Sequence, residues 1–391
     1  MQYFNYLTEE ERQEIFAVPP KKLTTDIDKK TIAYALGAAL YMPADSPKVA
    51  DKLVTDPMLG LVTTVLCLED AVGDNAVEKA EKNLQTQLAH LLKQQDNGRS
   101  LPFIFIRVRN VNQLKRLAKN FGSLLSVLTG FVLPKFEAET GRQYFEELTL
   151  INQNLPKPLY GMPILESPRV IDLKTRVDQM LKIKEVLDQY QHLVLNVRIG
   201  ATDLSGLFGI RRSYEFTIYD IAVIRDCISD IINVFGKPND GYVISGPVWE
   251  YFGAGTRVLK PQLRRSPFQE RYGDSGLDFR KQLISQHLDG LIREVMLDKA
   301  NGLVGKTIIH PSHLAPVQAL YAVTMEEYLD AVHILENNNG GVAKSAYQNK
   351  MNEAKPHTNW ANKIITLARI YGVINENHDY TSIICAREEE L

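Results

Sequence analysis

The chain has 391 residues, 45% of them hydrophobic and 24% charged, which is the composition of an ordinary globular protein with room for one large domain or two smaller ones. Its 45 basic and 47 acidic residues leave no basic excess, so neither nucleic acid nor a membrane surface is expected as a partner. The three cysteines lack CxxC spacing and exclude a disulfide framework, and without an N-terminal signal pattern or a membrane-length apolar stretch we expect a cytoplasmic protein.

From residue 33 onward, short apolar runs alternate with segments of helical periodicity. The apolar runs are 36–42, 61–68, 102–108, 129–134, 159–165, 193–199, 241–245 and 305–309, and the helical segments include 75–95, 111–128, 138–153, 170–190, 216–235 and 279–300. Such alternation predicts βαβ units and a parallel sheet. Eight units without a GxGxxG motif after the first strand favour an α/β fold of the (β/α)8 TIM-barrel type over a dinucleotide-binding sheet.

The predicted barrel divides the chain into three parts. Residues 1–32 form an N-terminal extension, residues 33–336 form the barrel with a loop insertion at about 247–278, and residues 337–391 form a C-terminal segment. That segment contains a predicted helix at about 359–371 with several apolar residues on one face. A monomer would expose this face unless the helix folds back on its own barrel, so we expect the segment to pack on a neighbouring subunit of a homo-oligomer, a trimer or a multiple of one.

Two carboxylates lie where predicted strands end. Glu166 follows the strand at 159–165, and Asp203 follows the strand at 193–199 after a short loop. Because the carboxyl ends of parallel strands share one face, these side chains can meet and hold a hard divalent cation together with water and substrate oxygens. The alternative is that Glu166 caps a helix and that Asp203 forms an Asx turn.

Other charged residues occupy the remaining strand ends. They are Glu69, Asp70, Arg107, Arg109, Lys135, Glu137 and His310. Carboxylates with arginine and lysine around one rim indicate a metal-bound anionic substrate, which arginine grips through its planar fork. Lys135 is interpreted as an electrostatic contact, since an acidic neighbour such as Glu137 would keep it protonated, although a Schiff base stays open. We expect a structural role for His310, with catalysis as the alternative.

Seven segments between residues 40 and 320 resemble, in order, the motifs of one family. Residues 40–45 resemble LFVPGD, 67–72 DLEDAV, 106–110 VRVN, 132–137 LPKVE, 165–167 IET, 200–204 GxxDL and 309–314 IHPSQI. These are motifs of the citrate lyase β-subunit-like proteins of the HpcH/HpaI aldolase family, which are metal-dependent carbon–carbon lyases on a TIM barrel. Within this group the chain also resembles the lyase-like proteins encoded beside ATP-grasp enzymes in bacterial stress and tellurite-resistance clusters.

The resemblance implies roles for the matched residues. Glu166 and Asp203 would be the Mg²⁺ ligands, Glu69 and Asp70 would hold a metal-bound water, and Arg107 would bind the substrate carboxylate or the developing enolate. Residues 349–353 are similar to the family segment GxMID, with Glu353 in place of an aspartate that serves some relatives as an acid/base supplied by a neighbouring subunit. The extra methylene of Glu353 changes the reach of that carboxyl group.

The predicted insertion is basic and includes Arg264 and Arg265, and Arg211 and Arg212 follow the sixth strand. These arginines are expected at the same rim, where they would cover a phosphate- or CoA-bearing substrate; the alternative is a solvated loop. Together the motifs predict a Mg²⁺-dependent lyase or reverse condensation acting on a 2-oxo or 2-hydroxy acid or an acyl-CoA-type anionic substrate. The alternatives are a lyase-like enzyme for a phosphorylated or phosphoribosyl-linked substrate and a non-catalytic scaffold that retains the barrel.

Overall fold

Eight parallel strands form the centre of the computed structural model, which describes residues 1–24, 27–55, 58, 60–252, 286–336 and 341–388. The strands are β1 Ala38–Pro43, β2 Thr63–Cys67, β3 Phe103–Arg107, β4 Gly130–Leu133, β5 Tyr160–Leu165, β6 Val197–Ile199, β7 Ile244–Ser245 and β8 Lys306–Ile308. Consecutive strands from β1 to β7 pair in parallel, and β8 pairs with β1. A parallel bridge between Gly246 and Lys306 joins β7 to β8. The predicted eight-stranded α/β barrel is confirmed.

The strands are mostly apolar because both of their faces are covered. All five residues of β2 and all five of β3 are buried, as expected for a parallel sheet with side chains filling its interior and helices covering its exterior. Helix Val77–Asp96 shows the complementary pattern, since Ala80, Leu84, Leu88 and Leu91 form its buried stripe at helical spacing.

The longer helices follow the strands in the predicted alternation. They are Val77–Asp96, Val111–Phe121, Ala138–Asn152, Arg176–Gln189, Ala222–Phe235, Gln286–Ala300, Met325–Glu336 and Ala354–Tyr371. Shorter helices are Glu9–Ile15, Lys29–Tyr34, Pro168–Ile171, Ala201–Gly206, Leu314–Ala319 and Tyr380–Glu388. In the parts of the chain that the structure describes, no helix is both long and apolar enough to span a membrane.

Two predicted helices are shorter than their periodicity suggested. The segment 111–128 ends as an α-helix at Phe121, because Gly122 adopts φ 50°, a left-handed conformation that favours glycine. The segment 170–190 is divided into Pro168–Ile171 and Arg176–Gln189. Between them, the Asp172 side chain accepts a hydrogen bond from the Lys174 N–H at 2.9 Å, which stabilises a turn instead of a continuous helix.

The two ends of the chain pack together at the amino end of β1. Strand Phe16–Val18 pairs with Val373–Ile374, which also pairs with Val323–Thr324. The rings of Tyr3 and Tyr371 lie 4.3 Å apart, and both side chains are fully buried. The Tyr3 hydroxyl donates to the Ala35 carbonyl, so the N-terminal residues are part of the same packed core as the barrel.

The C-terminal helix Ala354–Tyr371 covers its apolar face within the chain. Ile364, Leu367 and Tyr371 are buried, and the Tyr371 hydroxyl donates to the Tyr34 carbonyl at 2.9 Å. The predicted reason for subunit contact, an uncovered apolar face on this helix, is therefore wrong, because the helix folds back on its own barrel. The expected homo-oligomer stays a prediction.

Candidate active site

A cavity of about 250 Å³ lies at the carboxyl ends of the barrel strands. Among the residues that line it are Tyr41, Asp70, Arg107, Glu166, Arg198 and Asp203. Four of these, Asp70, Arg107, Glu166 and Asp203, are residues that the sequence predicted at strand ends. The barrel brings them together because its parallel strands all end at this rim.

Glu166 is fixed in place by its neighbours on both sides. It follows β5 and is only 3% exposed, and its carboxylate accepts a hydrogen bond from the backbone N–H of Lys135 at 2.8 Å. A Cβ atom on Gly200, at the end of β6, would lie 2.1 Å from Glu166 Oε2, so only glycine leaves room for this carboxylate. The helix-cap alternative for Glu166 is wrong, because the N-cap of helix Pro168–Ile171 is Ser167.

Glu166 and Asp203 form an acidic pair with unfavourable surroundings for two negative charges. Burial raises the pKa of Glu166 to about 7; Arg107 acts against this, while the charges of Asp203 and Glu69 add to it. Burial and the charge of Asp70 also raise the pKa of Asp203, which lies in the first turn of helix Ala201–Gly206. A bound cation would relieve this repulsion.

The donor set of this pair suits a hard cation that keeps much of its water. Within the described ranges, no group of three or more His, Cys, Asp or Glu side chains could hold a metal ion by itself. Glu166 and Asp203 would thus supply two carboxylates, and water and substrate oxygens would complete the coordination. Mg²⁺ is commonly bound in this way, through one or two carboxylates and several waters.

Arg107 lies between the acidic residues at the end of β3. Its Nη2 atom contacts Glu69, lies 3.1 Å from Asp70 Oδ2 and lies 3.6 Å from Glu166 Oε1. Burial acts to lower the pKa of Arg107, but Glu166 and other neighbouring negative charges raise it overall, so the guanidinium stays charged. The structure therefore places Arg107 beside the candidate metal ligands and also pairs it with Glu69 and Asp70.

Lys135 connects two acidic residues through two different groups. Its backbone N–H binds Glu166, while its Nζ atom donates to Glu69 Oε1 at 2.8 Å. The residue has φ 46°, an uncommon left-handed conformation for a non-glycine residue. The hydrogen bond to Glu69 raises the pKa of Lys135, which agrees with an electrostatic role. The prediction that Glu137 is the acidic neighbour of Lys135 is wrong, since Glu137 pairs with Arg169 instead.

One predicted site residue lies apart from this cluster, and two others fall outside the described residues. Glu353 is exposed at the N-cap of helix Ala354–Tyr371, and its backbone N–H donates to His357 Nδ1; it is not among the described residues that line the cavity. Arg264 and Arg265, with most of the predicted insertion, lie outside the described residues. Their roles stay predictions.

Two other residues predicted at the rim have structural partners. Arg212 was expected to face the substrate, but it is buried and bonded to Glu294, Glu250 and the Val248 carbonyl, because helix Gln286–Ala300 packs over it. His310 Nδ1 is 2.8 Å from the Ser312 hydroxyl, and its ring stacks on Phe252 at 4.6 Å.

Arg198 is the main cavity residue that the sequence reasoning missed. It lies in the apolar strand β6, is only 2% exposed and lines the cavity. Tyr41, Thr202, Glu250 and Thr307 were also missed. For Arg198 a signal was available, because a charged residue inside a buried strand is rare unless it has a specific partner.

Comparisons with known proteins show which family the sequence matches. The model of a family described as C–C bond lyases of the TIM-barrel fold matches residues 30–373. The mitochondrial citramalyl-CoA lyase of Rattus norvegicus is 23% identical over 339 residues, which cover 85% of each chain.

The fold is shared with a solved structure. The CitE protein of Mycobacterium tuberculosis, in complex with magnesium, acetoacetate and coenzyme A, is 18% identical, with a TM-score of 0.50 over 86% of this chain and 99% of that one. The RipC protein of Yersinia pestis is 15% identical, with a TM-score of 0.44 over 75% of this chain and 99% of that one.

Proposed function

Because the chain belongs to the family of carbon–carbon bond lyases of the TIM-barrel fold, we propose that it cleaves, or in reverse forms, a carbon–carbon bond in a 2-oxo or 2-hydroxy acid or an acyl-CoA-type anionic substrate. Mg²⁺ would be its cofactor. The observation that carries the proposal is the meeting of Glu166, Asp203 and Arg107 in one cavity. Magnesium and coenzyme A are bound in the CitE structure, and an acyl-CoA is named as the substrate of the rat citramalyl-CoA lyase.

Glu166 and Asp203 would hold the cation. When bound, Mg²⁺ supplies a positive charge that stabilises negative charge developing on a substrate oxygen as the bond breaks. The protein prepares for this by fixing Glu166 between the Lys135 N–H and Gly200, so that the carboxylate needs no rearrangement.

Arg107 would bind the anionic end of the substrate. Its charge is secured by neighbouring carboxylates, and its position is fixed by the sheet, since β3 ends at this residue. Glu69 is the carboxylate that holds the basic groups in place, because it bonds both Arg107 and Lys135. A planar guanidinium in a fixed position selects carboxylates by shape as well as by charge.

Among the described acidic residues, Asp70 is the one best placed to accept or donate a proton. Its side chain is 58% exposed and lines the cavity. Burial acts to raise the pKa of Asp70, but the hydrogen bond with Glu69 and the charges of Arg107 and Lys135 lower it overall. The carboxylate is therefore ionised at neutral pH and can accept a proton from water or substrate. Glu353, supplied by a neighbouring subunit of a homo-oligomer, is the second candidate for this role.

We place the protein in a reducing, cytoplasmic compartment. Cys67 and Cys227 are buried and form no disulfide bond, which suits a protein of a reducing compartment. Its partners would be small anionic substrates, with or without CoA, and further copies of itself.

Calorimetric titration with Mg²⁺ tests the metal assignment. We expect wild type to bind Mg²⁺, and Glu166→Gln and Asp203→Asn each to lose binding while keeping the wild-type circular dichroism spectrum. Glu137→Gln is the matched control, because Glu137 follows β4 but pairs with Arg169. Unchanged Mg²⁺ affinity in both site variants would remove the metal site. Mg²⁺ binding without binding of any 2-oxo or 2-hydroxy acid would favour the scaffold alternative.

A further inference from the structure

Arg198 is an unusual buried cation. Its Nη2 atom donates to the Thr307 hydroxyl at 2.5 Å, and its guanidinium carbon lies 5.8 Å from the centre of the Tyr41 ring. The other two nitrogens, Nε and Nη1, are buried and have no hydrogen-bond partner among the residues that the structure describes. Three strands thus orient a guanidinium at the cavity, with β6 carrying it and β1 and β8 supporting it.

Other buried cations of the barrel form ion pairs with carboxylates. Arg176 Nη1 binds Asp230 at 2.8 Å, and Lys306 Nζ binds Asp298 at 2.7 Å and Glu294 at 2.9 Å. No carboxylate of the described residues forms an ion pair with Arg198. A buried charge without a counter-charge is costly, and so are buried donors without acceptors. Arg198 therefore has the properties of a group whose anionic partner is a ligand.

We propose that Arg198 binds a second anionic group of the substrate, which makes the substrate a short 2-oxo or 2-hydroxy acid with two anionic ends. This inference rests on the proposed function, in which Arg107, Glu166 and Asp203 receive the first end. Arg107 is already in contact with several carboxylates, so it is poorly suited to serve both ends. A cavity of about 250 Å³ suits a small acid.

The inference narrows the proposed substrate classes. In an acyl-CoA with a single free carboxylate, the other end of the acyl group is a neutral thioester. A neutral thioester would leave the Nε and Nη1 donors of Arg198 without an acceptor. Sites with buried polar groups discriminate strongly against ligands that leave those groups unpaired. The free diacid is therefore the form that Arg198 selects.

The test compares diacids with monoacids of the same chain length by calorimetry in the presence of Mg²⁺. The pairs are malate with 2-hydroxybutyrate and 2-oxoglutarate with 2-oxovalerate. In at least one pair, we expect wild type to bind the diacid at least about tenfold more tightly, as for a charge-assisted contact. Arg198→Met should remove this preference and leave monoacid binding unchanged, while Arg198→Lys should keep part of it.

The outcomes that would contradict the role of Arg198 differ from those that would contradict the proposed function. A wild type that binds both members of each pair equally, or an Arg198→Met variant that retains the preference, would overturn the role of Arg198 alone. Absence of Mg²⁺ binding in wild type would overturn the proposed function as well.

Thermal unfolding separates ligand binding from a structural role. Replacing an unpaired buried charge by an apolar side chain of similar length should leave the melting temperature of Arg198→Met unchanged or higher. Arg176→Met is the matched control, and it should melt lower because it leaves the Ile171 carbonyl without its donors and Asp230 without its counter-charge. If Arg198→Met melts as low as the control and keeps the diacid preference, Arg198 is a structural residue.

Discussion

Two buried charge clusters lie in the same barrel and have different compositions. In the first cluster, Lys306 of β8 and Arg212 both form ion pairs with Glu294, and Lys306 also binds Asp298. The buried part of the cluster pairs these two bases with two acids, Glu294 and Asp298, while the partly exposed Glu250 contacts Arg212 from outside it. Glu294 accepts a further hydrogen bond from the Ile218 N–H at 2.7 Å. This cluster is balanced in charge and seals the contact between the barrel and helix Gln286–Ala300.

The cluster at the cavity is unbalanced. Four carboxylates, Glu69, Asp70, Glu166 and Asp203, face only Arg107 and Lys135 among the described residues that influence their pKa values. A raised pKa does not by itself distinguish the two clusters, since burial raises the pKa of Asp298 to about 6 as well. The difference is the excess of acids next to a cavity. A balanced cluster holds a protein together, whereas an unbalanced one has capacity for a ligand.

The largest effect that this comparison predicts is on stability. Glu294→Gln removes the shared acid of the balanced cluster and leaves the charges of Arg212 and Lys306 buried with less compensation. We expect it to lower the free energy of unfolding by about 3–5 kcal/mol, measured in urea. Glu166→Gln, an equally buried change in the unbalanced cluster, should cost far less or raise stability. Similar losses in the two variants would contradict the comparison.

The next prediction concerns Arg107. Arg107→Lys keeps the positive charge but loses the planar fork that contacts several carboxylates. We expect Mg²⁺ affinity to be retained and turnover or binding of a 2-oxo acid to fall at least about tenfold, equivalent to about 1.4 kcal/mol. Arg109→Lys is the control, because Arg109 pairs with Asp74 outside the cavity lining. Equal ligand binding at equal melting temperature would exclude Arg107 from the site.

The third prediction concerns pH. With its pKa raised to about 7 from the usual 4.5, Glu166 is protonated in the metal-free folded protein over a range in which it is ionised in the unfolded chain. The folded state then binds more protons, so the stability of the metal-free protein should decrease as pH rises through this window. Mg²⁺ must displace that proton, so its affinity should weaken by up to about tenfold for each pH unit below about 7.

Titration calorimetry with Mg²⁺ measures the pH dependence of the affinity, and thermal unfolding in EDTA measures that of the metal-free stability. Both are followed between about pH 5 and about pH 8. Glu166→Gln carries no titrating group at this position, so its metal-free stability should lack this part of the pH profile. If wild type and the variant show the same profile, the titrating group is not Glu166.

The fold could be predicted from the sequence because its signals are local. Each barrel strand is a short apolar run, and a parallel sheet buried on both faces requires such runs. The candidate site followed from the same rule, since Glu166 comes directly after one strand and Asp203 comes shortly after the next, and these strands must end at one face. Neither inference needed knowledge of which side chains touch.

The errors concern partners that are far apart in the chain. Lys135 binds Glu69, which is 66 residues away, instead of its near neighbour Glu137. Arg212 binds Glu294, 82 residues away, and the Tyr371 hydroxyl donates to the Tyr34 carbonyl, 337 residues away. Such choices depend on how helices pack over the barrel, which periodicity does not specify. Arg198 was missed because β6 was read as an apolar strand, with no weight given to its single charge.

The sheet formed by the chain ends has a consequence for synthesis. Its central strand, Val373–Ile374, comes from near the end of the chain, and its edge strand Phe16–Val18 comes from near the beginning. During translation the aromatic residues Tyr3, Phe4 and Phe16 must therefore wait until residues 373–374 have left the ribosome before they reach their buried places. The barrel strands can pair with their neighbours as they emerge, whereas closure of this sheet is a late, long-range event. A growing chain thus carries uncovered aromatic residues at positions 3, 4 and 16 until residues 373–374 emerge, which leaves a chaperone a long time to bind them.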